Sequence, residues 1–266
     1  MWGWADVAGE SVGVIRFAVV FLGGLLLTAC GDSDPLATLE RGERGRVVRV
    51  IDGDALVLNT GQSVRLIGIE APARPYRERE GQVFHEEAKR MLEDMALGRE
   101  VELRYGGLTR DRYDRALAHV VTDDALGAAL WLNLEMAKRG GARLRVYPDT
   151  AAANDLIAEA EGTARAASRG LWSERAYDIP SAADLPEDFE RFQLVEGILG
   201  RRSDTAEEDA VCDRRLLGSH LRLSIERSAE PVCAMPEGTK VIARGYIYKG
   251  KMEITHPLNV QTLPRD

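Results

Sequence analysis

The stretch Arg46 to Leu58, RVVRVIDGDALVL, decides the fold. Valine-rich runs flank Asp52-Gly53-Asp54, so two strands meet at a tight Asp-Gly turn. Asn59-Thr60-Gly61 is a second turn, and Val64 to Ile69 (VRLIGI) reads as a third strand. Pro72 and Pro75 then enforce a loop. From Glu86 to Ala96 the apolar positions Ala88, Met91, Leu92, Met95 and Ala96 recur at helical spacing. Gly98 closes that helix. Val101 to Tyr105 and Ala116 to Val121 form a strand pair around Gly106 to Arg115. Helices follow over Leu130 to Arg139 and Ala152 to Ser168, ending at Gly140-Gly141 and Gly170. Three strands, a helix, two strands and two helices make an α+β pattern, which suits a short barrel with helices against one end.

Further along, residues 175–190 carry prolines and acids and read as a linker. Residues 191–266 read as a small all-β unit. Its strands cover Phe192 to Leu199, Leu221 to Ile225, Val241 to Tyr248 and Met252 to Ile254, with a hairpin turn at Lys249-Gly250. That pattern is consistent with a second barrel of OB type. No catalytic constellation stands there, so a binding or docking role is the default. Tyr246, Tyr248 and Lys249 could stack single-stranded nucleic acid; more ordinarily such residues furnish one face of a small sheet.

Composition sets bounds. The 266 residues are 45% hydrophobic and 29% charged, as in a soluble globular protein. The net charge is -8 and the pI about 5.2. An acidic chain gains little from counterion release on nucleic acid, so any such contact must come from a local basic site.

The chain opens on an address. Phe17 to Ala29, FAVVFLGGLLLTA, is apolar, uncharged and short for a membrane span, with Arg16 before it. It ends Leu27-Thr28-Ala29-Cys30, which resembles the lipobox of bacterial lipoproteins. The resemblance implies cleavage of a signal peptide (1–29), a diacylated Cys30 and a location at the bacterial cell envelope, anchored to a membrane by lipid. The alternative is an ordinary signal peptide with an incidental cysteine. Asp6 and Glu10 are unusual before such a run, and a start near Val12 or Val14 would remove them. Residues 30–45 then read as a polar tether. Export permits a disulfide between the other two cysteines, Cys212 and Cys233, closing a loop of about twenty residues worth roughly 3 kcal/mol. Two unpaired thiols are the alternative.

The chemistry concentrates between Asp52 and Arg115. Asp52 and Asp54 flank the glycine turn, Glu70 follows the third strand, Arg65 lies within it, and Arg115 precedes the fifth. Carboxylate oxygens suit hard cations, and arginines suit phosphate. Together they could polarise a phosphodiester and hold its developing charge. By spacing alone, acidic turns and exposed arginines are as often merely solvated faces.

Three motifs add to this: VIDGDALVL, VRLIGIEAP and DRYDRALAHV, with ASRGLW (Ala167 to Trp172) closing the unit. In order and spacing they resemble the staphylococcal nuclease family over 46–174. The resemblance implies a five-stranded OB-type β-barrel with three helices and Ca²⁺-dependent cleavage of DNA or RNA. Asp54 and Glu70 match its metal-binding carboxylates, Glu70 standing where the family usually has Asp. The Ala71 carbonyl matches a backbone ligand, and Asp52 an acid near the metal. Arg65 and Arg115 match the arginines on the scissile phosphate, and Tyr113 a nucleotide-contacting tyrosine.

One departure is chemical. The family's Pro-Glu, whose glutamate is its proposed general base, is here Pro72-Ala73; Ala55 likewise replaces a threonine. A lost base costs about 10² to 10⁴ in rate. Glu78 or Glu80 could substitute from the following loop. None of His85, His119, His220 or His256 is spaced for a metal or a base pair. Three readings follow: an envelope-anchored nuclease; a catalytically weakened module that binds nucleic acid, another phosphate ligand or an envelope protein; and a structural lipoprotein that docks to partners.

Overall fold

The computed structural model describes residues 34–123, 129–204 and 209–264. The expected signal peptide and Cys30 lie outside them. Alternation drives the first barrel: β1 (Glu40–Asp52) buries Val47 and Val50, β2 (Ala55–Leu58) is buried throughout, and β3 (Ser63–Leu66) buries Val64 and Leu66. With β5 (Glu100–Tyr105) and β6 (Ala116–Thr122) they close in the order β1-β2-β3-β6-β5. β3 and β6 pair in parallel, Arg65 opposite Leu117.

VRLIGI is two strands rather than one. Gly68 takes φ +76°, a left-handed conformation that suits glycine. It turns the chain out of the barrel into β4 (Gly68–Glu70), which pairs with β7 (Arg143–Arg145). The break matters for function, because it carries Glu70 away from the barrel wall and against β7.

Helix α1 (His85–Ala96) buries Ala88, Leu92, Met95 and Ala96. Gly53 sits so close to Ala88 and Ala71 that a Cβ there would come within 2.9 Å and 2.7 Å of their Cβ atoms. The Asp-Gly-Asp turn is thereby pressed against both α1 and the end of β4. Helix α2 (Leu132–Lys138) and helix α3 (Asn154–Ala166) complete the unit, meeting the core through Leu132, Met136 and Ile157.

The expected tether was too long. Glu40 to Gly45 belongs to β1, paired with β5. The segment ERGERG has no apolar alternation because its charges pair across the strands: Arg44 bonds Glu102, and Arg41 Nη1 lies 3.5 Å from Glu102. The linker also proves packed. Tyr177 is buried and its hydroxyl donates to the Val83 carbonyl at 2.8 Å, while Ala182 and Leu185 enter the second core.

The second unit contains β8 (Phe192–Ser203), β9 (Ala210–Leu216), β10 (Arg222–Glu226), β11 (Lys240–Tyr248), β12 (Lys251–Ile254) and β13 (Val260–Thr262). The sheet runs β12-β10-β9-β8-β11-β13, and β11 also pairs with β12, closing a five-stranded barrel. β10 and β12 are parallel. Each barrel thus joins its third and fifth strands in parallel and its fourth to its first, the same OB-type order twice. Lys249 and Gly250 form the β11–β12 turn with φ 48° and 69°. A Cys212–Cys233 disulfide ties β9 to a 3-10 segment over Arg227–Ala234. β9 went unread in the sequence, because it buries Asp213 and Arg214 where alternation calls for apolar residues. Both barrels lie within one compact unit, Pro35–Asp266.

Candidate active site

The turn between β1 and β2 points Asp54 inward, where it is 2% exposed. Its amide donates to Asp52 Oδ1 at 3.3 Å. One Asp54 oxygen accepts the Ala71 amide at 2.6 Å, and the other accepts Arg65 Nη1. Above all burial, aided by Asp52, pushes the Asp54 carboxyl up to about 8, although Arg65 pulls it down. Burial works against the Arg65 charge, but Asp54, Glu70 and Asp52 outweigh it and raise the Arg65 pKa. Three acids therefore act on one guanidinium.

Arg65 lines a cavity of about 400 Å³ together with Gly68, Asp111, Arg115, Arg145 and Tyr147. The two arginines singled out in the sequence, Arg65 from β3 and Arg115 from the residue just before β6, thus share one space. Arg115 is braced by Asp111: Nε donates to Oδ2 at 2.7 Å and the amide to Oδ1 at 3.0 Å. Burial opposes the charge of Asp111, but these bonds and the Tyr113 amide hold its carboxyl below the usual range. Tyr113 is 66% exposed and lies outside that lining. Its ring lies 4.8 Å from the Arg112 guanidinium and 5.7 Å from that of Arg115.

Glu70 faces Arg145, whose Nε lies 3.7 Å from Oε2. That buried oxygen accepts no hydrogen bond. Among the described residues no three His, Cys, Asp or Glu side chains are grouped to hold a metal. The donor chemistry still fits a hard cation: Asp54, Glu70 and the Ala71 carbonyl are all oxygen ligands, and Glu70 Oε2 lacks a donor.

Arg145 and Tyr147 were missed in the sequence, although the signal was there. Arg143, Arg145 and Tyr147 alternate in RLRVY and so share a face. Nothing local ties that face to Arg65; the β4–β7 pairing does, setting Gly68 opposite Arg145. Ala73 is exposed, its amide bonded to Gln82 Oε1 at 2.9 Å. Glu78 and Glu80 are exposed and do not line the cavity. His119 is a core residue, fully buried between Trp131 and the Ala152 carbonyl.

Residues 63–174 match the sequence profile of the family described as staphylococcal nuclease homologue. A thermonuclease of Staphylococcus intermedius is 30% identical over 162 residues, 60% of this chain and 94% of the relative. A thermonuclease of Staphylococcus hyicus is 30% identical over 131 residues, 48% of this chain and 75% of its own. An uncharacterized endonuclease of Escherichia coli is 31% identical over 133 residues, 49% of this chain and 77% of its own.

Proposed function

The chain belongs to the staphylococcal nuclease family, and from that premise we propose that it is a Ca²⁺-dependent phosphodiesterase hydrolysing DNA or RNA, anchored at the cell envelope through lipid on Cys30. The observation that carries this reading is the meeting of Arg65 and Arg115 in one cavity, with Asp54 bonded to Arg65.

In this reading Arg65 and Arg115 grip the non-bridging oxygens of a phosphodiester. Both are held before substrate arrives, Arg65 by Asp54 and Arg115 by Asp111. Such bracing lowers the reorganisation needed as negative charge builds in the transition state. Asp54, Glu70 and the Ala71 carbonyl would hold Ca²⁺, with Asp52 beside them. The cation supplies positive charge that polarises the phosphoryl oxygen. Tyr113, exposed beside Arg115, contacts the nucleotide. The acidic whole-chain charge makes this local cluster, rather than a general basic surface, the source of attraction.

Ala73 favours a second reading, a module that binds a phosphate ligand without cutting it. The methyl side chain of Ala73 accepts no proton, and neither Glu78 nor Glu80 lines the cavity. The deciding assay incubates the soluble chain, begun after Cys30, with single-stranded DNA and RNA in Ca²⁺ or in EDTA, beside Arg65→Ala. Cleavage that needs both Ca²⁺ and Arg65 establishes the enzyme. Ca²⁺-dependent binding without cleavage, lost in Arg65→Ala, establishes the binding module. Neither binding nor cleavage would leave the chain a docking lipoprotein.

A further inference from the structure

A second cavity, of about 210 Å³, opens where the two barrels meet. The first barrel gives it Leu144, Arg145 and Tyr147; the second gives Phe192, Tyr246 and Glu253. Arg145 and Tyr147 also line the cavity of Arg65 and Arg115, so the two spaces are neighbours that share these two side chains as a wall.

The shared wall is aromatic and cationic. The Arg145 guanidinium lies 4.4 Å from the Phe192 ring and 5.1 Å from the Tyr147 ring, and its Nε donates to the Tyr147 hydroxyl at 3.1 Å. Phe192 pairs with Tyr246 across β8 and β11, and Tyr246 is 54% exposed. Tyr147 is also exposed. The carboxylate in the lining, Glu253, lies 3.2 Å from Lys251. Exposed rings beside an arginine suit the flat faces of nucleobases, while the acid disfavours close approach of phosphates.

We propose that this cleft between the barrels receives the bases that flank the scissile phosphate in a single-stranded nucleic acid, with Tyr246 as a stacking platform. The second barrel is then part of the substrate-binding surface. This rests on the reading of the Arg65–Arg115 cavity as a phosphodiester site. The cleft explains how an acidic chain holds a strand: stacking adds affinity that does not depend on net charge.

The test is a length series. Fluorescein-labelled single strands from a dinucleotide to about 12 nucleotides, a span that a barrel of this type covers, made with hydrolysis-resistant phosphorothioate linkages, are titrated with Ca²⁺ by anisotropy against the full mature chain. Cleavage is followed separately with Ca²⁺. Affinity is expected to rise with length in the wild type, and Tyr246→Ala to shrink the gain between the shortest and longest strands by about fivefold or more. Tyr246→Phe should retain the gain, since the ring and not the hydroxyl carries it. Equal gains in wild type and Tyr246→Ala overturn the proposal, as does absence of any gain with length. The two readings fail separately. Length-dependent binding lost in Tyr246→Ala without cleavage sinks hydrolysis and leaves the cleft standing; cleavage with a Tyr246→Ala length series like the wild type sinks the cleft alone.

Discussion

Glu161 on α3 and Arg244 on β11 meet in a two-pronged ion pair sealed from water, Nη1 to Oε1 at 2.9 Å and Nη2 to Oε2 at 2.5 Å. The pair also holds β7: the Leu144 amide donates to Glu161 Oε1, and Arg244 Nη1 donates to the Leu144 carbonyl at 3.2 Å. Residue 144 directly precedes Arg145, so this contact between barrels also supports a wall of the candidate site. Glu161→Gln leaves a guanidinium buried without its counter-charge and should cost about 3 to 5 kcal/mol. Urea unfolding of the soluble chain measures this. Glu161→Leu combined with Arg244→Met should cost less than the sum of the single changes, because the buried guanidinium goes with its counter-charge; the remaining cost falls on the Leu144 amide and on Arg165, 3.6 Å from Glu161, which lose a partner. A single-variant loss below about 1 kcal/mol would mean that the barrels do not depend on the pair.

The Cys212–Cys233 disulfide spans 21 residues of the second barrel. Closing a loop of that length restricts the unfolded chain by about 3 kcal/mol. Reduction, or Cys212→Ala with Cys233→Ala, should lower the melting temperature by several degrees. Calorimetry with and without dithiothreitol reads the change, and coincident melts would contradict it.

Acid should act through His119. Trp131 Nε1 can only donate, so His119 Nδ1 must accept from it, at 3.2 Å, and Nε2 carries the proton given to Ala152. That is a neutral imidazole. Burial lowers its pKa to about 4, against 6.5 for the free side chain. The unfolded chain then binds the proton more tightly, so the contribution is complete above pH 6.5 and is lost as pH falls towards 4. The shift amounts to about 3 kcal/mol. His119→Gln should show a shallower loss of stability over that window, read as the difference between two urea series. Parallel series would place a charged His119 in the folded protein.

How much of this was legible depends on how local each signal is. The Asp52-Gly53-Asp54 turn and the valine runs around it are local, and they place Asp54 beside β3 without further help. Helix α1 came through for the same reason, as an apolar face at helical spacing, and α3 was marked by the glycine that ends it. β9 did not, because its Arg214 is buried against backbone carbonyls of Cys233 and Met235, which lie about twenty residues on. Likewise Arg145 looks like any exposed arginine until β4 pairs with β7 and Phe192 arrives from the second barrel. Charged residues that are buried or stacked by long-range partners carry no periodic mark.

The last prediction concerns Ala73. The position is exposed, and its backbone is fixed on both sides by Gln82, whose side chain accepts the Ala73 amide and whose amide donates to the Ala73 carbonyl at 2.8 Å. A larger side chain is therefore accommodated without moving the chain. Two carboxylates line the cavity: Asp111 is engaged by Arg115 through both oxygens, leaving it a poor proton acceptor, while Asp149 is exposed and is the carboxylate to remove in a control, Asp149→Asn. If water activation limits the rate, Ala73→Glu should raise single-turnover cleavage by about 10² to 10⁴, the usual worth of a positioned base. Ala73→Gln has nearly the same size and no proton affinity, and should give no gain. A rise confined to the glutamate, with rate increasing as that carboxyl ionises, identifies the missing base as the cause of slow turnover. Fast wild-type cleavage with no gain in Ala73→Glu would instead require another group to take the proton, and would remove the main argument for a weakened site.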